Sequence, residues 1–276
     1  MSAGTLYVVA TPIGNLADAS PRSIEVLKGV ALIACEDTRA SATLLARFGI
    51  RVRTVALHEH NERAAAPGLI ELLRKGSDVA LITDAGTPGL SDPGAHLVAE
   101  AHRAGVRVSP VPGPSAAAAA FSAAGFPASR FLFAGFLPAS GSARRKALAE
   151  LDLPWPVVLY EAPHRIEQTL GALAERFGPQ REIVVARELS KKFEEVARLR
   201  LGEAGAWLAA DPHRAQGEFV IVVAAGAGKR AATLEAERVL DALLGALPPS
   251  DAARVAARIT GEPKAALYRR ALDRSK

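Results

Sequence analysis

Cysteine occurs once in this 276-residue chain, at Cys35, so an intrachain disulfide is excluded and nothing calls for an oxidising compartment. Cys35 lies in the apolar run from Val30 and reads as a small core residue. Long apolar runs are missing too, and no stretch approaches membrane-spanning length. The opening residues, MSAGTLYVVATP, lack a basic segment followed by an extended apolar one, so no signal peptide is expected and a cytoplasmic location is. The dinucleotide fingerprint G-x-G-x-x-G does not follow the first apolar run. ATPIGN stands there instead, which disfavours a dinucleotide oxidoreductase. The segment Gly226-Ala227-Gly228-Lys229-Arg230 has only part of a phosphate-binding loop. Val223 stands where the first glycine belongs, and no hydroxyl residue follows Lys229, so an NTPase is rejected. His58-Glu59-His60-Asn61-Glu62 is not H-E-x-x-H and has no cysteine or further histidine nearby, so no metal is expected; a polar loop beside a cleft fits it better.

What is present is an apolar-rich chain, 49% hydrophobic and 23% charged, long enough to bury one large or two smaller cores. Its net charge of +5 is uneven. Residues 229–276 carry ten basic and six acidic residues, while the preceding 228 carry 24 and 23. A nearly neutral body with a basic tail implies an anionic partner such as nucleic acid, or a solvated arginine-rich helical surface.

Short β-rich runs alternate with helical stretches, the pattern of parallel sheets with crossover helices. Strands are expected at 6–10, 30–35, 53–57, 79–83 and 106–109, then at 131–133, 156–160, 182–186, 196–201 and 218–223. The run Val196–Leu201 alternates apolar and basic residues, as a half-exposed strand does. Helices are expected at 65–75, 95–104, 144–151, 164–177 and 203–210, with Ser20-Pro21 opening another. Val111–Ser115, reading VPGPS, marks a boundary, and the alanine run after it predicts a helix packed very close to a neighbour. After Ala227 the pattern is helical only: 232–247, 251–259 capped by Ser250, and 264–272, with a glycine-containing turn before the last. That is a helix-turn-helix layout, or a three-helix appendage that merely packs on the body.

The densest signal is Asp84–Gly94, DAGTPGLSDPG, which leaves a buried strand and enters a helix. It is longer than most strand-to-helix connections, which favours a binding loop at the strand carboxyl ends, where ligands gather in open α/β sheets. Polar clusters recur after other strands: Glu36-Asp37-Thr38-Arg39, Tyr160-Glu161-Ala162-Pro163-His164-Arg165 and Arg187-Glu188-Leu189-Ser190-Lys191-Lys192. Each can orient a hydroxyl or hold a phosphate, or can close on itself as an ion-pair corner.

With these segments in order, the chain resembles the tetrapyrrole methylase superfamily. Within it the chain is similar to the ribosomal RNA small subunit methyltransferase I branch, which methylates a ribose 2′-hydroxyl. The residues that carry this are LYVVATPIGNLAD, CEDTR, HEHNE, LITDAGTPGLSDPG, VPGPSA, LYEAPHRI, ARELSKKFEE and GEFVIVV, together with the tail PPSDAARVAARITGEPKAALYRRAL. The resemblance implies an α/β, two-domain tetrapyrrole-methylase-like fold with a mostly parallel N-terminal sheet, a mixed second sheet and a small C-terminal helical domain. The divisions expected are 1–112, 113–227 and 228–276. It also implies S-adenosyl-L-methionine in the cleft between the lobes, a homodimer, and small-subunit ribosomal RNA as partner, free or in the assembled subunit, with a cytidine of the decoding region as target.

Carried over residue by residue, the cofactor contacts fall on Pro12, on Asp84, Ala85, Gly86 and Thr87, on Leu90, on Ser115 and Ala116, on Glu161 and on Leu189. Thr87 and Glu161 depart from the aspartate and methionine that tetrapyrrole enzymes carry there. For the chemistry, Asp37, Arg39, Glu188 and Lys191 are the expected catalytic cluster. Glu36 is a further proton acceptor, and Arg187 joins Arg39 and Lys191 to hold RNA phosphate or polarise the hydroxyl. Two rival readings are a methyltransferase acting on a tetrapyrrole carbon and a non-catalytic RNA-binding protein.

Overall fold

In the computed structural model the described residues are 3–226 and 229–274, with the backbone alone described over 229–235. The segment that resembled a phosphate-binding loop and the expected division at 227/228 therefore lie largely outside the described residues.

Five aliphatic runs form the first sheet: β1 (Thr5–Val9), β2 (Leu32–Cys35), β3 (Thr54–Ala56), β4 (Val79–Ile82) and β5 (Arg107–Val111), in the order β3-β2-β4-β1-β5 and parallel throughout. β2 and β4 are buried along their whole length, as strands covered by helices on both faces must be. The covering helices are α1 (Pro21–Gly29), α2 (Thr38–Arg47), α3 (Glu62–Arg74) and α4 (Ala95–Arg103). β5 runs two residues further than its sequence predicts and includes Pro110. It is the edge strand, where an absent N–H leaves no ladder bond unmade.

α3 begins three residues earlier than expected and continues through Pro67. Its first residue, Glu62, is buried, and its carboxylate accepts the Leu97 amide at 2.9 Å. Glu62 thus caps the first turn of α4 from a neighbouring helix, in place of the absent side chain of Gly94. Asn61 closes the turn before it, accepting the His58 amide and donating to the Ala56 carbonyl.

From β5 the chain passes into α5 (Ala116–Ala124), which lies on the second sheet. Ala117, Ala120 and Ala124 pack directly on Val158, Val184, Val220 and Val222, the close approach that an alanine run permits. That sheet holds β6 (Leu132–Phe136), β7 (Val157–Glu161), β8 (Glu182–Arg187), β9 (Glu195–Arg200) and β10 (Phe219–Val223), in the order β6-β7-β10-β8-β9. β6 and β7 are parallel and the remaining pairs antiparallel, so the sheet is mixed. β9 alternates half-buried and exposed residues, as its pattern predicts. β6 is longer than expected because a register shift at Gly135, at φ +63°, carries it past the bulge to Phe136. The opposite face is covered by α6 (Gly141–Ala149), α7 (Ile166–Phe177) and α8 (Leu201–Ala209) around a separate core.

The chain ends in α9 (Lys229–Leu244), α10 (Pro249–Thr260) and α11 (Lys264–Arg274), packed around Leu240, Ala252, Ala256 and Leu267. The turn before α11 has Gly261 in the left-handed region at φ +75°. Ser250 does not cap α10: the helix already starts at Pro249, and its cap position is Pro248. Among the described residues no helix is long and apolar enough to cross a membrane.

Candidate active site

The order β3-β2-β4-β1-β5 sets the carboxyl ends of β2, β4, β1 and β5 side by side. The loops that leave them are tied together. Thr11 N donates to Gly86 O at 2.9 Å, Gly86 N returns a bond to Thr11 O at 3.1 Å, and Thr11 Oγ1 donates to Thr83 O at 3.1 Å. Thr87 Oγ1 donates to Pro114 O at 3.1 Å, which joins the β4 loop to the β5 loop. Within the β4 loop, Gly89 N donates to Pro93 O at 3.2 Å. The loop is pinned at three points before any ligand arrives.

Opposite this edge stand the end of β7, the start of β10 and the residues after β8. Between the two lobes lies a cavity of about 370 Å³, within the range of small-molecule sites. Eight of the ten cofactor residues expected from the sequence line it: Ala85, Gly86, Thr87, Leu90, Ser115, Ala116, Glu161 and Leu189. Pro12 and Asp84 do not; each is the neighbour of a lining residue, Ile13 or Ala85. Sequence reasoning missed Ile13, Asp92, Phe136, Tyr160 and Phe219. Asp92 lay within the signalled loop, and Tyr160 opened a signalled cluster, so both stood beside a legible sign.

The cavity has a distinct electrostatic character. Among its described lining residues none is basic, while Asp92, Glu161 and Glu218 are acidic. Burial, then the charges of Glu36 and Asp84, push the Asp92 carboxyl up to about 7. Burial and the Asp84 charge likewise raise Glu36, which stands beside the cavity rather than in its wall. Burial raises the Tyr160 phenol, whose oxygen accepts the Ala117 amide at 3.2 Å. The N-terminus of α5, with Ser115 as cap, also borders the cavity, beside Tyr160. The Ala117 and Ala118 amides there are taken by Tyr160 Oη and Ser115 Oγ, so what α5 offers an anionic group is the positive end of its dipole.

Glu161 lines the cavity, yet its carboxylate serves the second lobe. It accepts Thr169 Oγ1 at 2.5 Å and the Ala162 amide at 2.9 Å, and lies 3.2 Å from Arg165 Nε. Its side chain is wholly buried.

The four expected catalytic residues stand at the rim, outside the cavity wall. Asp37 is the N-cap of α2, and its Oδ2 pairs with Arg39 at 3.1 Å. Lys191 Nζ is held by Glu188 at 2.9 Å and by Glu218 at 3.0 Å. Lys191 is also packed against the β1 loop: a Cβ on Gly14 would fall 2.3 Å from its Cγ. Ser190 Oγ hydrogen-bonds Asp18 across the same seam. Lys191, Lys192 and Arg47 line an open groove beside the cavity. Arg187, expected to hold phosphate, is buried and turned inward, donating to Gln216 O at 2.7 Å and Phe193 O at 3.1 Å. It fastens the loop that carries Lys191 instead.

Residues 5–205 match the family model of Tetrapyrrole (Corrin/Porphyrin) Methylases, and residues 230–275 match that of the RsmI C-terminal HTH domain. Among curated proteins, the chain is 52% identical to the Ribosomal RNA small subunit methyltransferase I of Pseudomonas aeruginosa, over 99% of both chains. It is 46% identical to the protein of that name from Escherichia coli O157:H7, over 99% of this chain and 96% of the relative. Solved structures share the fold at lower identity. Diphthine synthase superposes with a TM-score of 0.61 at 19% identity, over 80% of this chain and 89% of that one. Uroporphyrin-III-C-methyltransferase from Thermus thermophilus superposes at 0.56 and 21%, over 80% and 94%. The chain belongs to the tetrapyrrole methylase family and, within it, to the family of ribosomal RNA small subunit methyltransferase I.

Proposed function

We propose that this chain is a methyltransferase that uses S-adenosyl-L-methionine to methylate the ribose 2′-hydroxyl of a cytidine in the decoding region of small-subunit (16S) ribosomal RNA. The observation that carries the reading is the convergence of eight expected cofactor residues, from loops far apart in sequence, on one cavity. The relatives' shared name and the match of the basic tail to a C-terminal helix-turn-helix domain support RNA rather than a tetrapyrrole as substrate.

The residues present fit such a cofactor. A lining with acidic and no basic side chains suits a ligand that carries a sulfonium and an ammonium group. The N-terminus of α5 suits its carboxylate. Ile13, Leu90 and Phe136 supply apolar surface that excludes water from the ligand. When bound, the cofactor supplies an already electrophilic methyl group. The chain's work is then to hold the ribose oxygen in line and to take its proton. The rim charges Arg39 and Lys191, with Arg47 and Lys192 beside them, are placed to hold RNA phosphates. Asp37 and Glu188 orient these cations and act on the reaction through them.

In this reading residues 1–112 and 113–227 are the two lobes and residues 228–276 an RNA-binding appendage. The working form is a cytoplasmic homodimer, which light scattering of the purified protein tests. Activity is tested by incubating the protein with methyl-labelled cofactor and either undermethylated small subunits, deproteinised 16S RNA or a porphyrinogen. Label in a single cytidine ribose is the expected result. Label only in the porphyrinogen, or RNA retention with no label anywhere, sinks the proposal in favour of one of its rivals.

A further inference from the structure

We propose that Asp92 is the catalytic base of this site, the group that takes the proton from the ribose hydroxyl as it is methylated. The inference rests on the functional reading above and adds a residue that lies outside the rim cluster at Asp37, Arg39, Glu188 and Lys191.

Position comes first. Asp92 is in the cavity wall, with Leu90, Ser91, Phe136 and Tyr160 around it. Its backbone is held by a closed loop, Gly89 N to Pro93 O at 3.2 Å, whose base is fixed by the Thr11–Gly86 and Thr87–Pro114 bonds. Ser91, just before it, sits in the left-handed region at φ +65°. A Cβ on Gly135 of β6 would fall 2.9 Å from Ser91 Oγ, so the bulge in the second sheet is shaped around this turn. A side chain of the first lobe is thereby presented to the space between the lobes on a rigid mount.

Chemical availability comes second. Asp37 and Glu188, the acceptors expected from the sequence, are already paired with Arg39 and Lys191. Both are held below the usual carboxylate range: hydrogen bonds from Arg39 lower Asp37, while for Glu188 burial pushes up but is outweighed by the hydrogen bonds from Lys191 and the Glu218 amide and the charges of Lys191 and Arg187 together. A carboxylate held that low is a weak base. Glu161 is enclosed by Thr169 and Arg165, and Glu218 faces Lys191. Asp92 is the acidic residue of the wall with no hydrogen bond or ion pair among the described residues. The groups that act on it are Glu36 and Asp84 from the ends of β2 and β4, and it acts in turn on the Tyr160 phenol of β7. Burial and these like charges lift it to about 7, where a base combines a large ionised fraction with real proton affinity.

The step balances without a further reactant. The ribose oxygen forms the new O–C bond while the S–C bond breaks, its electron pair staying on sulfur. The hydroxyl proton passes to Asp92, which returns it to solvent after the product leaves. The positive charge of the sulfonium is thus discharged as one proton.

The test combines a titration and a rate. Carbon-13 NMR of the cofactor-free wild-type protein, with Asp92 assigned by the Asp92→Asn spectrum, is expected to show its carboxyl titrating near 7. Single-turnover methylation of undermethylated small subunits should rise with unit slope in log rate up to about that pH. At saturating cofactor, Asp92→Asn should lower the rate about 100-fold or more and abolish the rise, with subunit affinity within about twofold of wild type. A carboxyl titrating near 4 in the wild type overturns the inference, as does a variant that keeps both rate and pH profile. If wild-type protein methylates no subunit, the functional reading fails first, and the titration alone does not rescue the assignment.

Discussion

Thr11 and Gly86 hold one another by a reciprocal pair of backbone hydrogen bonds, and Gly86 does so at φ +89°. This two-bond clasp joins the loops of β1 and β4 at the point where neighbouring connections leave the sheet in opposite directions. Such a switch point opens a crevice.

Gly86→Ala tests the clasp. A Cβ there would meet Ile13 Cγ2 at 3.5 Å, an ordinary contact, so crowding is not the issue. The left-handed backbone is, and holding an alanine in it costs about 1–2 kcal/mol. Urea denaturation should show a loss of that order, and calorimetry should show cofactor affinity lowered about fivefold or more. A drop in stability with affinity intact would mean the clasp holds the fold and not the site.

Asp92 makes an opposite prediction about stability. Its folded value of about 7 lies above the value of an unfolded aspartate, so the folded chain binds more protons in between. The native state is therefore penalised progressively as pH rises from about 4 to about 7, and fully above. Asp92→Asn should be close to neutral at pH 3 and stabilising at pH 8, by about 1–2 kcal/mol once partial exposure is discounted. Denaturation midpoints at the two pH values check this, and equal offsets at both would contradict it. A residue whose removal strengthens the fold while silencing the reaction is what a strained functional site predicts.

Much of this arrangement was legible in the sequence. The alternation of aliphatic runs with helical stretches gave both sheets, and the alternating pattern of β9 gave its half-exposed face. The loop Asp84–Gly94 announced itself because glycine and proline at a strand end are local, one-dimensional signs. What stayed hidden depends on contacts between segments distant in the chain. Nothing near Arg187 says that it turns back to the Gln216 carbonyl, and nothing near Glu62 says that it caps a helix that starts at Ala95. Asp92 looked like one polar residue of a turn until β6 and β7 closed over it.

Glu161, at the end of β7, is a structural residue by its bonds. It accepts hydrogen bonds from Thr169 and the Ala162 amide and forms an ion pair with Arg165. Removing it strands a guanidinium whose side chain is only 17% exposed. Glu161→Ala should cost about 3–5 kcal/mol, the range for removing one partner of a buried pair. Glu161→Gln keeps an acceptor for Thr169 and should cost about 1–2 kcal/mol. Denaturant curves of the two variants decide this. If alanine costs no more than glutamine, Arg165 is sustained by its bonds to the Leu137 and Pro138 carbonyls alone.

The tail makes a prediction about salt. In α10 and α11, Arg254 is paired with Asp251, and Arg274 lies against Glu237 and Asp241. Arg258, Lys264 and Arg269 are exposed and make no ion pair among the described residues, so they are, with Arg238 of α9, among the cations open to phosphate. Each phosphate left without its cation should reduce the slope of log affinity against log salt by about 0.7–0.9. The triple change to glutamine should therefore weaken small-subunit or 16S RNA binding about tenfold near physiological salt and flatten the slope by about 2. None of the three lies in the cavity wall, so cofactor affinity should not move. Filter binding across a salt series, with calorimetry of the cofactor on the same sample, separates the outcomes. An unchanged slope would assign the tail to packing, and a parallel fall in cofactor affinity would show that the substitutions had damaged the fold rather than an RNA surface.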